Sequence, residues 1–511
     1  MTPFTLYGIE GLDYDAVIAA YRRLCEEGVR EIDSDSLSVY SGSEPKYIEK
    51  KPPRKPLKDD ARILCKARYI IHSIAYRQQT QQDEEVDGVS LQMSVLQSVI
   101  GRDALELIAA LSDLGYISRT PVYILGQATR RYKVNGTITE EECTNYTIRK
   151  YIQKTRETLD DNVAKRLSSP QFVEEYGDGF AATYIKNLNR FKIADKDGFD
   201  SYAASRIKEH PTTKPYFDYI RSSFNRQLKI FKVDDNHRIY HILTSLKREL
   251  KKYVNIKFSI DCSNSHPLLF NYFIFIDRGI SVSSSYKITE ILSDESVEIT
   301  VPSTPKPPYD IKKLRKILID RGIKNDELAK ISDDELLYIF KTTRGVFWED
   351  VLRMHEGEAY DRAEIKRKMF AEVFYSKTKR DSWKVFAQEF KAQYPSVYDL
   401  ILRWKEPLKD PALNKVLIRR SKAVEMGGRA WMKNEATALP NIMMDLESVI
   451  FREILKTLFA KRICAVHIHD AIVIPDVKST AKLEPSVVED VMRGVYRKFG
   501  LHPSFKVEKY G

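Results

Sequence analysis

Residues 463–475 have the sequence ICAVHIHDAIVIP. Two short apolar runs, rich in β-branched residues, flank the polar pair His469 and Asp470, which predicts two buried strands. A two-residue link between such runs is typical of a tight hairpin, and His and Asp are among the non-glycine residues that tolerate the backbone angles of its turn. The sequence therefore predicts a hairpin with the Asp470 carboxylate at its tip. A charge in that position needs a partner, such as a metal ion.

The composition is that of an ordinary globular protein. The chain has 511 residues, 43% hydrophobic and 30% charged, so about two to four domains with sizeable cores are expected. The five cysteines lack the CxxC spacing of zinc sites. No apolar run reaches the roughly 20 residues of a membrane span, and the N-terminus lacks the features of a signal peptide. We therefore expect a cytoplasmic protein, in a bacterial or viral setting, with no membrane partner.

The charge balance favours a polyanionic partner. The net charge is +11, and nucleic acid is the commonest partner of such proteins, although many basic proteins bind none. The basic segment KYIEKKPPRKPLK, residues 46–58, has two interpretations. It is either a solvated linker or an arm that contacts phosphates.

Residues 91–134 predict two short helices followed by a basic hairpin. The helices are expected over residues 93–100 and 104–114, with Asp103 as the N-cap of the second. This order resembles a winged helix, whose hairpin contacts the nucleic-acid backbone. The candidate phosphate contacts are Arg119, Arg130, Arg131 and Lys133. A helical subdomain with a purely structural hairpin is the alternative.

A second carboxylate follows a predicted strand at Asp261. Apolar and polar residues alternate over residues 256–260, which predicts a strand that ends at this aspartate. A mostly helical stretch, residues 310–440, separates it from the hairpin. Within that stretch, the residues that recur every four positions are Arg362, Lys366, Phe370 and Phe374. On a helix they lie along one face, which by itself is most often a solvated basic end followed by a buried aromatic end.

Together these parts suit two-metal phosphoryl transfer. Asp261 and Asp470 would hold a pair of Mg²⁺ ions about 4 Å apart, with Mn²⁺ as a substitute. Mg²⁺ keeps waters and substrate phosphates in its shell, so one or two protein carboxylates suffice. Cations would neutralise a triphosphate, and aromatic rings would stack on a base.

The motif set resembles the palm and fingers of family A DNA polymerases and of the related bacteriophage-type single-subunit RNA polymerases, over residues 233–511. The first palm motif, a strand ending in Asp, is matched by SIDCSNS around Asp261. The fingers motif of Arg, Lys, an apolar or aromatic residue and Tyr at four-residue steps is matched by Arg362, Lys366, Phe370 and Phe374. The last palm motif is matched by VHIHDAIV around Asp470, and NHR, residues 236–238, resembles the Thr-Gly-Arg element that touches primer-template.

The resemblance implies a role for each matched residue. Asp261 and Asp470, with the Cys262 backbone carbonyl, would bind the metals, and His469 would act beside them at the primer 3′ end. Arg238 would contact the duplex backbone. The nucleotide would be bound by Arg362 and Lys366 at the triphosphate, by Phe370 and Phe374 at the nascent base pair and sugar, and by His266 at the sugar.

Departures from the family pattern leave the sugar of the substrate open. Ala471 follows the His-Asp pair where family A DNA polymerases usually have Glu, which leaves two carboxylates as in the RNA polymerases. His266 stands where the DNA polymerases carry the Glu that excludes the ribose 2′-OH. Phe374 lacks the hydroxyl that helps to select ribonucleotides, which favours dNTPs. The N-terminal region has no Asp-x-Glu start of a proofreading exonuclease, so none is expected.

The fold class implied by the resemblance is α+β, a right-hand polymerase with an antiparallel-sheet palm and helical fingers behind a mostly helical N-terminal region. The expected domains are a helical region with a basic linker (1–85), the winged-helix-like segment (86–136), a thumb-like or connecting region (137–232), the first part of the palm (233–300), the fingers (301–440) and the second part of the palm (441–511).

The leading hypothesis is a family A-like DNA polymerase without proofreading exonuclease, acting on primer-template DNA and nucleoside triphosphates. One alternative is a single-subunit RNA polymerase or primase-like enzyme that uses rNTPs. The other is a non-catalytic, DNA-binding replication initiator. A polymerase joined to a winged helix would suit a phage, a plasmid or another mobile element.

Overall fold

The structure is a computed structural model, and it describes residues 4–27, 30–32, 47–50, 55–80, 88–91, 93–119, 131–226, 228–234, 238–297, 310–354, 360–375, 385–405 and 435–510. This part of the chain is mostly helical, with small antiparallel sheets. The chain forms two compact units, residues 1–166 with 196–231 and residues 167–195 with 232–511. Within the described ranges, no helix combines the length and the apolarity that a membrane crossing needs.

In chain order the helices are α1 (Tyr14–Glu27), α2 (Asp60–Thr80), α3 (Met93–Ile100), α4 (Ala104–Asp113), α5 (Tyr146–Leu167), α6 (Pro170–Tyr176), α7 (Phe180–Leu188), α8 (Lys196–Glu209), α9 (Lys214–Phe224), α10 (Ser265–Asp277), α11 (Val282–Ser293), α12 (Ile311–Asp320), α13 (Asn325–Leu328), α14 (Asp333–Arg344), α15 (Phe347–Met354), α16 (Arg362–Met369), α17 (Val385–Gln393), α18 (Pro395–Lys405), α19 (Glu435–Ala460) and α20 (Pro485–Arg497). The strands are β1 (Phe4–Ile9), β2 (Arg30–Ile32), β3 (Tyr47–Lys50), β4 (Val89–Ser90), β5 (Ile117–Arg119), β6 (Arg131–Val134), β7 (Ile138–Cys143), β8 (Ile230–Val233), β9 (Ile239–His241), β10 (Ile256–Cys262), β11 (Val466–Ile468), β12 (Ala471–Pro475) and β13 (Phe505–Lys509).

The segment predicted to resemble a winged helix, residues 86–136, lies in the first unit. α2, β4, α3, α4, β5 and β6 follow one another, and β6 lies between β4 and β5 in a three-stranded sheet. The two short helices begin at the predicted residues. Asp103, however, does not cap α4 with its side chain. It is buried, where it accepts a hydrogen bond from the Tyr21 hydroxyl at 2.8 Å and pairs with Lys66, because a buried carboxylate needs such partners.

The second unit is built around a four-stranded antiparallel sheet in the order β11-β12-β10-β13. α20 packs against β10, while α10 packs against α14 and α19. α10 carries the run Leu268, Leu269 and Phe270, all with no exposed surface. A helix that is apolar on several sides belongs in the interior, and each such side chain contributes about 1.5–3 kcal/mol when buried.

The hairpin predicted at residues 463–475 is confirmed. β11 pairs antiparallel with β12, and Ile468 lies opposite Ala471, so His469 and Asp470 form a two-residue turn. His469 has a φ of 52°, in the left-handed region that this kind of turn requires. The turn therefore fixes the point at which Asp470 leaves the sheet.

Candidate functional site

The two predicted aspartates meet at one end of the sheet. β10 pairs with β12 so that Asp261 lies opposite Ala471. The next N–H along β10, that of Cys262, donates to the Asp470 carbonyl at 3.1 Å. The strand register alone thus brings together two carboxylates that are far apart in sequence.

The surroundings of these aspartates disfavour two negative charges. Burial raises the pKa of both carboxyl groups above the usual range for aspartate, and the charge of Asp470 raises the pKa of Asp261 further. Neither side chain forms an ion pair in the part of the chain that the structure describes. A cation that bound both would relieve this repulsion.

Lysines supply the positive charge near the pair. The Lys366 ammonium lowers the pKa of both carboxyl groups, and Lys251 lowers that of Asp261, so both lysines lie within electrostatic reach. Lys251 was not predicted, because it lies in a basic segment with no motif. Arg362 pairs with Glu349 at 2.8 Å, and both side chains are about half exposed. Such a pair is weak, so Arg362 can exchange it for a ligand at little cost.

The donor set fits Mg²⁺. Among the described residues, no group of three or more His, Cys, Asp and Glu side chains converges as a transition-metal site would. Two carboxylates with no ion-pair partner among the described residues are instead the sparse oxygen donors that Mg²⁺ accepts when waters and phosphates complete its shell. The Cys262 carbonyl stays a candidate third donor.

α16, the helix predicted to belong to the fingers, differs from the prediction at its end. α16 runs into a π-helical turn, Phe370–Phe374, and the Tyr375 N–H donates to the Phe370 carbonyl, five residues back, at 2.8 Å. The extra residue in this turn breaks the four-residue spacing. Phe374, which was predicted to face the base pair and sugar, is instead fully buried in the core, with ring centroids 6.2 Å from Phe270 and 6.1 Å from Phe390.

Tyr375 takes the position that Phe374 leaves. Its hydroxyl lies 2.6 Å from His266 Nδ1, and its ring stacks on Phe370 at a centroid distance of 5.1 Å. The Phe370 ring also meets His266 edge-on at 5.6 Å. Burial, together with the charges of Arg238 and Lys366, lowers the pKa of His266 to about 3. The imidazole is therefore neutral, and it forms one wall with the two aromatic rings.

Glu447 on α19 connects this wall to Arg238. The buried Glu447 carboxylate pairs with the Arg238 guanidinium, and it accepts a hydrogen bond from Ser265 Oγ at 3.2 Å. His266 Nε2 lies 3.4 Å from the same carboxylate. A neutral imidazole protonated at Nε2 can face Glu447 while its Nδ1 accepts from Tyr375. The sequence alone does not predict this network, because Arg238 and Glu447 are 209 positions apart.

Beside the network a small pocket opens next to His469. Its lining residues are Arg238, Ile239, Tyr240, Thr244, Glu447, Ser448, Phe451, His467 and His469. His469 is exposed on the turn, with its ring 6.4 Å from that of Tyr240. Asn236 and His237 of the predicted primer-template element lie outside the described residues.

Comparison with known proteins gives no family. No family model matches the chain, and no curated protein does. Among solved structures, the chain is similar to the POL domain of Pol1 from M. smegmatis in complex with DNA primer-template and dNTP. The TM-score is 0.23 and the identity 10%, over 97% of this chain and 81% of that chain. Such a superposition does not establish a shared fold, so any function must rest on the site itself.

The phosphate contacts predicted in the first unit are only partly described. Arg130 and the Arg119 side chain lie outside the described residues. The Arg131 guanidinium donates to the Gly88 carbonyl at 3.2 Å, which ties β6 to the residue before β4, and Lys133 is exposed. These positions leave only Lys133 as a described, exposed member of the predicted set.

α4 cannot read a nucleic-acid groove in this conformation. In a winged helix the second of the two short helices presents a face to the groove. Here α4 is buried from Ala104 to Leu111 with only Leu105 partly exposed, because α1 and α2 pack against it. Among the described residues, α4 thus presents no open face of the kind that the predicted winged helix would need.

Proposed function

We propose that this chain is a Mg²⁺-dependent nucleotidyltransferase of the polymerase type, which adds nucleotides to the 3′ end of a primer on a template. One observation carries the proposal. The antiparallel register of β10 and β12 places Asp261 beside Asp470, and Lys366 lies within electrostatic reach of both. Two-metal phosphoryl transfer needs this combination of paired carboxylates and a nearby cation.

Each residue then has a defined task. Asp261, Asp470 and the Cys262 carbonyl would hold the metal pair, which supplies an activated 3′-oxygen and a stabilised leaving pyrophosphate when bound. Lys366 and Arg362 would neutralise the triphosphate. His469 would lie at the primer terminus.

The sugar would be bounded by Tyr375 and His266 rather than by Phe374. The missing hydroxyl at Phe374 therefore no longer favours dNTPs, because Tyr375 supplies a hydroxyl beside His266. We keep a DNA polymerase as the first candidate. An RNA polymerase or primase-like enzyme is the second, favoured by this hydroxyl-imidazole pair and by Ala471 in place of a third carboxylate.

Substitution of Asp470 tests the proposal. Asp470→Asn should lower Mg²⁺-dependent incorporation by at least about 10³-fold, since a metal ligand is lost, and should leave folding intact. Asp476→Asn is the matched control, because Asp476 follows the same strand and is exposed. Primer extension with dNTPs or rNTPs on DNA or RNA templates measures the effect and identifies the sugar. Unchanged incorporation by Asp470→Asn would refute the site.

A non-catalytic DNA-binding initiator is the remaining alternative. It would bind DNA tightly and with strong salt dependence, but would show no Mg²⁺-dependent incorporation under any combination of template and nucleotide. The winged-helix order of the first unit favours it. The burial of α4 speaks against it, because the helix that would read DNA is covered.

A further inference from the structure

We propose that the buried Lys405 ammonium holds the π-helical turn Phe370–Phe374 and thereby selects Tyr375, not Phe374, as the aromatic residue that faces the nucleotide. Lys405 is thus a positioning residue that sets sugar discrimination without touching the substrate. The inference rests on the proposed nucleotidyltransferase function.

The π turn determines which ring reaches His266. Successive residues of an α-helix are rotated by about 100°, so an unbroken helix would place Phe374 in line with Lys366 and Phe370. The bond from the Tyr375 N–H to the Phe370 carbonyl encloses one residue more than an α-helical turn. Tyr375 is thereby brought to the face of Phe370, where its hydroxyl meets His266 Nδ1 at 2.6 Å.

Lys405 is placed to hold this turn. It is the last residue of α18, its side chain is 1% exposed, and its Nζ donates to the Val373 carbonyl at 2.6 Å. An ammonium group without acceptors is strongly disfavoured in the interior. The Val373 carbonyl is one such acceptor, and a change of register in the turn would move it away. The lysine therefore stabilises the π turn over a regular α-helix.

Burial of Phe374 stabilises the same register of the π turn. It has no exposed surface and packs between Phe270 and Phe390. The register that buries Phe374 is the one that presents Tyr375. Lys405 and Phe374 thus hold the turn through a hydrogen bond and through packing.

The test compares two buried lysines. Lys405→Met removes the ammonium and keeps the apolar length, while Lys341→Met does the same to a lysine that is 1% exposed and paired with Asp350 in the same unit. Both variants should lose stability. Only Lys405→Met should change the ratio of kcat/KM for dNTP to that for rNTP, by about 10-fold or more, in the direction of Tyr375→Phe.

A deletion provides the reverse experiment. Removing the exposed Ala371 shortens the π turn to an α-helical turn. Tyr375 then lies four positions after Phe370, so a regular α-helix places it on the face of Phe370 without help from Lys405. The deletion variant should retain the parental sugar ratio, and Lys405→Met should no longer change that ratio in its background. A merely structural role of Lys405 would lower both kcat/KM values together in either background.

A reporter at residue 375 separates this inference from the proposed function. 3-Fluorotyrosine placed there by codon suppression should show one ¹⁹F shift in the parent chain and in Lys341→Met, and a different one in Lys405→Met. A parent chain without incorporation would refute the function, and the ¹⁹F shifts would still decide the role of Lys405. An unchanged shift in Lys405→Met, or an unchanged sugar ratio in an active, folded Lys405→Met protein, would overturn the inference.

Discussion

At the scale of single residues, the paired aspartates hold the proposed site in an electrostatically strained state. Burial raises the pKa of both Asp261 and Asp470, so the ionised pair destabilises the metal-free protein. The same repulsion favours the binding of divalent cations. Catalytic sites commonly lower the stability of a protein in this way.

This strain predicts that Asp261→Asn stabilises the metal-free protein. A carboxyl whose pKa is higher in the folded state contributes stability at low pH, which is lost as the pH rises through the folded pKa. At pH 8 the substitution should therefore raise the free energy of unfolding by about 1 kcal/mol or more, and at pH 5 by less. Urea unfolding in EDTA measures the effect. No gain at pH 8 would contradict it, and Asp476→Asn is again the control.

At the scale of elements, the segment after β10 is held by the end of α14. Gly345 caps that helix with a φ of 76°, and a Cβ at this position would lie 3.1 Å from Ser263 Cβ. The Ser263 N–H donates to the Ser504 carbonyl at 3.0 Å, so this segment has little room to move. Asp261 lies two residues before Ser263, so its position depends on this contact.

Gly345→Ala should therefore impair activity as well as stability. A left-handed backbone costs about 1–2 kcal/mol with a Cβ, and the contact with Ser263 would displace the chain beside Asp261. Incorporation should fall by about 10-fold or more. The control is Gly179→Ala, where φ is also 76° but no atom of the described residues, its chain neighbours apart, lies within 4 Å of the new Cβ. Thermal unfolding should show the cost of the left-handed backbone in both variants. Primer extension should show lost activity in Gly345→Ala alone.

Elements with local signals could be predicted from the sequence, and contacts between distant segments could not. The His469-Asp470 turn was predictable because its strands, link and turn residues are adjacent. The π turn was not, because its stabilising partner Lys405 lies 32 positions from Val373. Asp103 had the spacing of an N-cap, but the buried Lys66 and the Tyr21 hydroxyl determined its role. The motif aspartates were predicted as a pair. The hydrogen bonds of Glu447 with Arg238 and Ser265 were visible only in the structure, because these residues are far apart in sequence.

At the scale of the whole molecule, buried neutral histidines predict a loss of stability in acid. Burial lowers the pKa of His241 to about 4, and it also lowers the pKa values of His266 and His467. These three imidazoles take up protons near pH 6.5 in the unfolded chain but not in the folded chain. The stability that these neutral histidines contribute to the second unit is therefore full above about pH 6.5 and falls toward pH 4, by about 3 kcal/mol for His241 alone.

Thermal unfolding between pH 7.5 and 4.5 tests this prediction. The aspartate pair opposes the trend, since its protonation stabilises the folded state, so an Asp261→Asn/Asp470→Asn background should show the histidine effect more steeply. Substitution of the exposed His210 by Gln should not alter the slope. A stability that is flat or rising below pH 6.5 in the double variant would contradict the prediction.

The discontinuity of the second unit determines how a minimal recombinant fragment must be designed. Residues 167–195 precede a stretch of the first unit, yet they contribute the Tyr184 hydroxyl, 3.0 Å from His467 Nδ1, and the Asn187 amide, which donates to the Ala465 carbonyl at 3.4 Å. A truncation that starts at 232 would strip these contacts from the strand that leads to Asp470. A minimal fragment therefore needs residues 167–195 spliced through a linker to 232–511, or supplied in trans as a second polypeptide.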